Sequence, residues 1–376
     1  MTDMRVHPER PTEVAPSDLP MPEELSRGRL RRRLLFAVGL VLVVVALITL
    51  LPGLGSLRTL LAHAKPEWLL IGVVLKLLSG VGYVAVFRMV FCRRMSWSVS
   101  YQIGMSELGA NALFPTGGAG GLALGAWALR RGGMRGDEIA RRTVAFFLLT
   151  SVPNVLGVVV IGVGLAAGAF EGVRNPLLTL LPAAAAALAI VGALLAGRLA
   201  GRSRTRLELE GRHDSSRRTR ALWAGLRAVA DGVEEAVSFL REGNIVLILG
   251  LIAYLAFDVM ILWAGFHAIG KAPPLANLWM GYLIGELGGL IPVPGGIGGV
   301  DAGLVGTLAL YKVSLTAAAG AVLIYRAIAL WVPAIVGAGA FIALRRTLRR
   351  EADAIAVCAP ETEMEVIGVG RAVIRP

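Results

Sequence analysis

Long apolar segments alternate with short polar ones along this chain. A helix needs about 20 apolar residues to cross a bilayer. Uninterrupted segments of about that length lie at 34–51, 68–91, 144–167, 177–196, 245–269 and 316–344. Two further apolar stretches, 99–129 and 275–311, contain glycine-rich breaks. The pattern predicts an all-α polytopic membrane protein with about six full transmembrane helices and two segments of another kind.

The two interrupted stretches carry the same motif. Residues 117–121 read GGAGG and residues 295–299 read GGIGG. Each pentad follows a Glu, a Gly and a Pro in the same order, namely Glu107, Gly109 and Pro115, then Glu286, Gly288 and Pro292. Broken backbone inside a membrane must be buried in protein or line a wet cavity. Two such breaks in corresponding halves of a chain are typical of a transporter's binding site.

Arginine clusters indicate how these stretches enter the membrane. Both flanks of 99–129 are arginine-rich, which places both ends in the cytoplasm under the positive-inside rule. Two crossings need roughly 40 residues, so two half-helices meeting at 115–121 predict a re-entrant hairpin that opens to the cytoplasm. Neither flank of 275–311 has an arginine cluster, which predicts a second hairpin that opens to the outside. The halves would then form an inverted repeat. The alternative is that the glycines only allow close helix packing.

The same reasoning divides the chain. Residues 1–26 are predicted to be a disordered cytoplasmic tail, residues 27–350 the integral membrane domain, and residues 351–376 a second cytoplasmic tail. The basic segment 198–243 is predicted to be a cytoplasmic loop. Within it, residues 222–240 have apolar positions at helical spacing, which fits a helix on the membrane surface or one packed under the bundle.

Composition narrows the class of protein. Hydrophobic residues make up 56% of the chain, far from the composition of an ordinary soluble domain. The net charge of +12 comes mainly from arginines between the apolar segments, so we interpret it as a topology signal that also attracts anionic lipids, and not as a nucleic-acid interface. The histidines have no metal-ligand spacing, so no metal is expected. Cys92 and Cys358 both fall on cytoplasmic segments, where a disulfide is not expected.

A few ionisable residues lie within the apolar segments, where each charge is costly and needs a reason. Glu107 and Glu286 form a symmetric pair. They are predicted to face a cavity and bind a cationic or hydroxyl-bearing headgroup or a proton. Alternatively, each caps a broken helix or pairs with a nearby cation for structure alone. Lys76 and Asp258 are further cavity charges, or they close a buried pair.

The glycine motifs suggest an anion site. Gly allows bare backbone and unusual dihedral angles, and the helices that follow the pentads present N-termini suited to a phosphate. Arg326 would add donors to the same anion, or it pairs with Asp301 or Glu286. Asn111 would bind a headgroup or join helices. The predicted substrate-binding glycines are Gly117, Gly118, Gly120, Gly295, Gly296 and Gly298.

The sequence offers no sign of hydrolytic or group-transfer chemistry. It contains no G-x-S-x-G elbow and no Walker loop, and the pentads lack the lysine of a P-loop. We therefore expect a protein that is not an enzyme and that has no cofactor.

Residues 294–304, PGGIGGVDAGL, resemble the second glycine motif of the flippase-like membrane domain of lysylphosphatidylglycerol synthases. Arg326 with residues 331–333 is similar to the family's following helix, and Asn111 with Pro115 and the first pentad is similar to its upstream motif. The resemblance covers roughly residues 30–345. Asp301 stands where the family usually has Glu. Uncharged residues follow the first pentad where the family often has Arg.

The resemblance implies a function. Larger family members carry a soluble aminoacyl-transfer domain after the membrane part, and residues 351–376 are too few to hold that activity. Stand-alone members are thought to move lipids or polyprenyl-phosphate-linked sugars across a bacterial inner membrane. The expected partners are membrane lipids, namely anionic phospholipid headgroups or a lipid-linked sugar. Two alternatives stay open: an ion-coupled carrier of a small solute, and a non-transporting partner of a membrane-associated glycosyltransferase or lipid enzyme.

Overall fold

The computed structural model describes residues 39, 55–113, 119–192, 195, 230–270, 272–290 and 299–350. Within these ranges the regular structure is helical, with eleven α-helices and no strand, which confirms the all-α prediction. Several predictions lie outside the described residues. They concern the apolar segment 34–51 apart from residue 39, both tails, most of the 198–243 loop, and Gly117, Gly118, Gly295, Gly296 and Gly298.

The helices follow the apolar pattern in chain order. They are α1 (Gly55–Ala62), α2 (Pro66–Phe91), α3 (Trp97–Leu113), α4 (Ala119–Arg131), α5 (Gly136–Ala166), α6 (Pro176–Gly192), α7 (230–241), α8 (Ile245–Ile269), α9 (Leu275–Gly285), α10 (Gly299–Leu310) and α11 (Leu315–Arg350). A 3₁₀ turn, Glu286–Leu290, continues α9.

Four of the described helices, α2, α5, α8 and α11, are long and apolar enough to cross a membrane. Each also turns large apolar side chains outward, such as Leu70, Val160, Ile245 and Ile335, which are at least 60% exposed. A belt of exposed apolar side chains is expected where lipid surrounds a protein. The chain is therefore a multi-pass membrane protein. Of the six predicted spans, α6 is a shorter apolar helix of the described part, and of 34–51 only residue 39 is described.

The predicted helix ends are wrong at the polar boundaries. The helix predicted to begin at Val144 begins at Gly136, and the helix predicted to end at Leu344 runs to Arg350. Hydropathy marks where lipid ends, whereas a helix continues into water when its polar residues find partners. In α5, Glu138 pairs with Arg142 one turn later at 2.9 Å.

Each glycine stretch folds into a pair of antiparallel helices, and both pairs have the same register. In the α3–α4 pair, Asn111 lies opposite Gly121 and Glu107 opposite Gly125. In the α9–α10 pair, the turn after α9 lies opposite Gly299, and Gly285 lies opposite Gly303 and its neighbour. Gly121 and Gly125 occupy the places in GGAGGLALG that Gly299 and Gly303 occupy in GGIGGVDAG. The two halves thus share a helical-hairpin unit.

The two halves are joined because helices of each half pack on helices of the other. Helices α2 and α8 form the largest contact and run antiparallel, with Gly82 against the backbone of Gly250 and Tyr254. Helix α11 of the second half packs on α3 of the first, where Gly109 meets Gly337. Reciprocally, α5 of the first half packs on α9 of the second. Each hairpin is therefore covered by the last long helix of the other half.

The described part of the basic loop forms helix α7. Its contacts decide between the two predicted placements, on the membrane surface or against the bundle. Glu235 accepts a hydrogen bond from Arg141 of α5 at 2.7 Å, and Ala236 is buried in the core. A Cβ on Gly232 would contact Val144. Residues 230–241 thus pack against the bundle.

Cys92, just after α2, is disulfide-bonded. This contradicts the expectation of no disulfide, which came from the assigned compartment and not from geometry. The other cysteine, Cys358, lies outside the described residues.

Candidate functional site

Asp258, on α8, is the centre of a polar network inside the bundle. Its Oδ2 accepts hydrogen bonds from the hydroxyls of Tyr282 at 2.7 Å and Tyr325 at 3.0 Å. Its Oδ1 pairs with the ammonium group of Lys76 and accepts a hydrogen bond from the hydroxyl of Ser79 at 3.3 Å. These partners come from α2, α9 and α11, so the network ties both halves together.

The Lys76–Asp258 pair is almost fully enclosed, with side-chain exposures of 10% and 13%. A buried ion pair is stable only when both charges find further partners, because both have left water. The serine and the two tyrosines supply them on the acidic side. The sequence left two roles open for Lys76 and Asp258. The structure supports the second role, because the two side chains form a buried ion pair. The pair is also part of a larger group of charged residues, which we call the charged region.

That region continues to Arg326 and Asp301, which form an ion pair between α11 and α10. Their side chains are 28% and 30% exposed, considerably more than the Lys76–Asp258 pair. Arg326 directly follows Tyr325 on α11, so this one helix contacts both Asp258 and Asp301. Asp301 is in the first turn of α10, where a carboxylate also interacts favourably with the helix dipole.

Glu286 completes this charged region. It begins the 3₁₀ turn after α9 and interacts electrostatically with Asp258, Arg326, Lys76 and Asp301. Unlike them, its side chain is exposed. The region therefore runs from a buried end at Asp258 to an open end at Glu286, and it contains charges of both signs.

Glu107, the symmetric counterpart of Glu286, has a different environment. It is 3% exposed and lies beside the hydroxyl of Tyr83 and under α4, where a Cβ on Gly125 would lie 3.1 Å from its Oε1. Its Oε2 has no hydrogen-bond partner in the part of the chain that is described. The sequence predicted equivalent roles for the two glutamates, whereas the structure encloses one and exposes the other.

Asn111 and Gly120 lie at the first hairpin and not in the Asp258 region. The Asn111 side-chain oxygen accepts a hydrogen bond from the backbone N–H of Gly121 at 2.9 Å. This bond holds α4 against α3, the joining role that the sequence allowed for Asn111. Gly120 is buried at the start of α4.

Sequence reasoning missed two parts of the site. It did not assign Tyr83 and Tyr282 to the buried carboxylates, although Tyr282 lies one helix turn before Glu286. It also treated the pentads as complete, whereas Gly125 and Gly303 extend the repeat by one further turn. The matched spacing of these glycines was visible in the sequence, but the need for it appears only when α3 and α9 lie against them.

Comparison with known protein families gives a match to the Lysylphosphatidylglycerol synthase TM region over residues 35–337, most of the chain. The chain belongs to this family. The resemblance noted from the glycine motifs is thereby confirmed. No curated protein matches the chain significantly. The family match covers α1–α10 and most of α11, so the Asp258 network and the Arg326–Asp301 pair both lie inside the lysylphosphatidylglycerol synthase membrane region.

Proposed function

We propose that this protein is a translocase that carries an anionic lipid, either a phospholipid or a polyprenyl-phosphate-linked sugar, across the bacterial inner membrane. The observation that carries the proposal is the charged region that joins both halves and opens at Glu286. A headgroup with a phosphate and hydroxyls needs both donors and acceptors along its path. The region offers a guanidinium, an ammonium, three carboxylates and two tyrosine hydroxyls.

Arg326 is the proposed phosphate contact. Its guanidinium is already paired with Asp301, and an arriving phosphate would compete for the same fork of N–H donors. Because this pair is more exposed than Lys76–Asp258, the exchange would leave the buried pair intact. The lipid tails would stay among the exposed apolar side chains of the long helices.

The proposed mechanism is alternating access between two re-entrant hairpins. The equal register of the α3–α4 and α9–α10 hairpins and the antiparallel α2–α8 contact support an inverted repeat. In this proposal both termini are cytoplasmic, the first hairpin opens to the cytoplasm and the second to the outside. The protein would move lipid without chemical change, with no cofactor, and a membrane-associated glycosyltransferase is a proposed partner.

A proteoliposome assay tests the proposal. Vesicles containing the full chain and a fluorescent phosphatidylglycerol are quenched from outside, and the rate at which inner-leaflet lipid becomes quenchable is measured. Arg326→Gln should slow this rate at least about tenfold, because a charge-assisted contact contributes about 1.5–3 kcal/mol. Arg135→Gln is the matched control, since Arg135 pairs with Asp137 on the surface, where both side chains are more than 60% exposed. Equal rates for protein-free and wild-type vesicles, with each candidate lipid, would refute the proposal.

A second candidate, an ion-coupled carrier of a small solute, is favoured by Glu107. A buried carboxylate with an oxygen that has no described partner is suited to carry a proton. Uptake of a soluble substrate driven by a proton gradient, without lipid movement, would select this alternative. Replacement of Glu107 by Gln would then abolish the dependence on the gradient.

A further inference from the structure

A cavity lies at the end of the bundle where α5, α8 and α10 end and α6, α9 and α11 begin. Its volume is about 880 Å³, within the range of small-molecule sites. We call it the end vestibule. The walls are the connection 172–175, the residues just before α9, and the turn 311–314 after α10. It contains none of the residues assigned to the charged region at Asp258.

Two cationic side chains, Arg174 and Lys312, line the end vestibule, and no acidic side chain does so among the described residues. Neutral hydrogen-bonding groups accompany them, including Asn277 and Ser314. Pro274, which precedes α9, and Asn277, in its first turn, also line the vestibule, so the N-terminus of α9 brings a partial positive charge close to it. This combination of two cations, amide donors and a helix N-terminus favours an anion such as a phosphate.

Lys312 occupies a position that would favour glycine. Its φ is +65°, and it is the one non-glycine residue with positive φ in the described part of the chain. The turn ends α10 through hydrogen bonds from Lys312 N–H to Ala309 O at 3.0 Å and from Val313 N–H to Leu308 O at 3.1 Å, an arrangement in which glycine is the usual residue. A lysine here costs backbone energy. It places an ammonium group on the vestibule wall, next to the C-terminus of α10, where the helix dipole also favours a cation.

The vestibule walls are held in place by buried side chains. The Asn277 side-chain oxygen accepts a hydrogen bond from Val173 N–H at 2.9 Å, and the Tyr311 hydroxyl donates to Leu178 O at 2.5 Å. Asn277 and Tyr311 are 4% and 1% exposed. These bonds fasten the 172–175 connection to α9 and the start of α6 to α10. The cations are thus carried on a preorganised frame, which lowers the cost of binding.

An apolar groove adjoins the vestibule at Pro274, which lines both. Its volume is about 400 Å³, and its walls include Ile161, Phe170, Leu275 and Trp279. Glu171 is the one acidic side chain among the described residues that line either space. A cationic chamber that adjoins an apolar groove matches the two parts of an amphiphile.

We infer that this end of the molecule is a binding site for a phosphate-bearing amphiphile of net negative charge, with the phosphate in the end vestibule and an apolar chain along the groove. The site is separate from the charged region through which we propose that lipid moves. The ligand binds at one end of the bundle, and this binding does not depend on translocation.

Equilibrium binding to the purified full chain in a nonionic detergent tests the inference. The probes are short-chain phosphatidylglycerol, the phosphatidylcholine with the same chains, and inorganic phosphate, each titrated calorimetrically. Phosphatidylglycerol should bind at least about tenfold more tightly than either of the others, because only it has both the net negative charge and the apolar chain. Equal affinity for the two lipids would overturn the site, and equal affinity for phosphatidylglycerol and inorganic phosphate would overturn the role of the groove.

Variants locate the binding. Arg174→Gln combined with Lys312→Gly should weaken phosphatidylglycerol binding at least about tenfold. Lys312→Gly should not lower the melting temperature, because glycine suits φ +65°. Trp279→Ala should weaken binding of phosphatidylglycerol but not of inorganic phosphate, and Glu171→Gln should strengthen the binding of both.

The controls separate this inference from the proposed function. Arg326→Gln should impair translocation but retain the part of the phosphatidylglycerol binding that the Arg174 and Lys312 double variant loses, and Arg135→Gln should leave both translocation and binding unchanged. If the Arg174 and Lys312 double variant binds phosphatidylglycerol like the wild type, the end vestibule is not the site. That result would leave the translocation assay, and its own outcome, unaffected.

Discussion

Tyr282 and Tyr325 donate hydrogen bonds to the same carboxylate oxygen of Asp258, one from α9 of the second hairpin and one from α11, which follows that hairpin. Their hydroxyl oxygens are 3.2 Å apart and their rings meet edge to face at 89°. The two phenols fix one side of the carboxylate, while Lys76 and Ser79 fix the other. Any movement of α9 relative to α11 must therefore change the surroundings of Asp258, which gives the cluster a direct link to hairpin motion.

Variants of the Lys76–Asp258 pair can separate its contribution to stability from its contribution to translocation. Asp258→Asn removes the partner of the enclosed Lys76 ammonium and should lower the free energy of unfolding by about 3–5 kcal/mol. The double variant Lys76→Met with Asp258→Leu removes both charges and should recover most of that loss. Thermal unfolding in detergent measures both. If the double variant also translocates lipid at the wild-type rate, the pair serves only stability.

The Arg326–Asp301 pair should behave in the opposite way. Both side chains are more than a quarter exposed, so solvent screening limits its contribution to stability to under about 1 kcal/mol. Arg326→Lys should nevertheless slow translocation, because an ammonium group cannot present the planar fork that a phosphate engages. Asp301→Glu keeps the charge and should keep activity. A melting temperature that falls strongly in Arg326→Lys would show that the pair is structural instead.

The crossing of α3 and α11 predicts a contrast between two glycines on one helix. A Cβ on Gly337 would collide with backbone atoms of α3, lying 3.0 Å from Gly109 N. Gly337→Ala should therefore destabilise the protein by about 1–3 kcal/mol. Gly339→Ala is the matched control, since a Cβ there meets nothing within 4 Å. The measurement is the melting temperature of each variant. Equal values for the two variants would contradict the close packing of α11 on α3.

The first hairpin depends on one side-chain hydrogen bond. Asn111→Ala removes the acceptor of the buried Gly121 N–H and should cost about 1–3 kcal/mol. Ser106→Ala, on the same helix, is the control. Its hydroxyl bonds only to the Gln102 carbonyl one turn earlier, so its loss should change stability by less than about 0.5 kcal/mol. Hydrogen exchange of α4 amides should rise in the asparagine variant alone.

The unequal exposure of the two glutamates predicts unequal labelling. In a background with both native cysteines replaced by serine, Glu286→Cys should react with a charged, water-soluble thiol reagent, because Glu286 is exposed. Glu107→Cys should stay unreactive, because Glu107 is 3% exposed. Mass spectrometry of the labelled protein gives both yields. Comparable labelling at the two positions would contradict the asymmetry.

Much of this fold was predictable because lipid imposes a simple rule on sequence. Helix α8 was predicted with its observed bounds, Ile245–Ile269, since it has polar connections at both ends. The paired motifs predicted that each glycine stretch divides into two helices, as α3–α4 and α9–α10 do. The ends of α5 and α11 were missed because both helices continue beyond the apolar region, in α5 with the support of the Glu138–Arg142 ion pair. The pairing of Lys76 with Asp258 was one of two open roles, and no local pattern decides which helices face each other.

The candidate site shows the same limit. Glu107 and Glu286 are equivalent in sequence, and their different burial depends on Tyr83 and Gly125 around one and on Arg326 and Asp301 near the other. The asymmetry therefore arises from tertiary neighbours that the repeat does not share. Asp301, which has Ala123 as its counterpart in the first repeat, was the clearest sign that the halves differ.

The close approach of Gly109 to Gly337 has a consequence for biogenesis. The ribosome releases the first hairpin long before it has made the helix that will lie against it. Until α11 emerges, the α3 surface around Gly109 has no protein cover, and its insertion must be provisional. A chain terminated before Gly337 would lack the helix that covers this surface of α3.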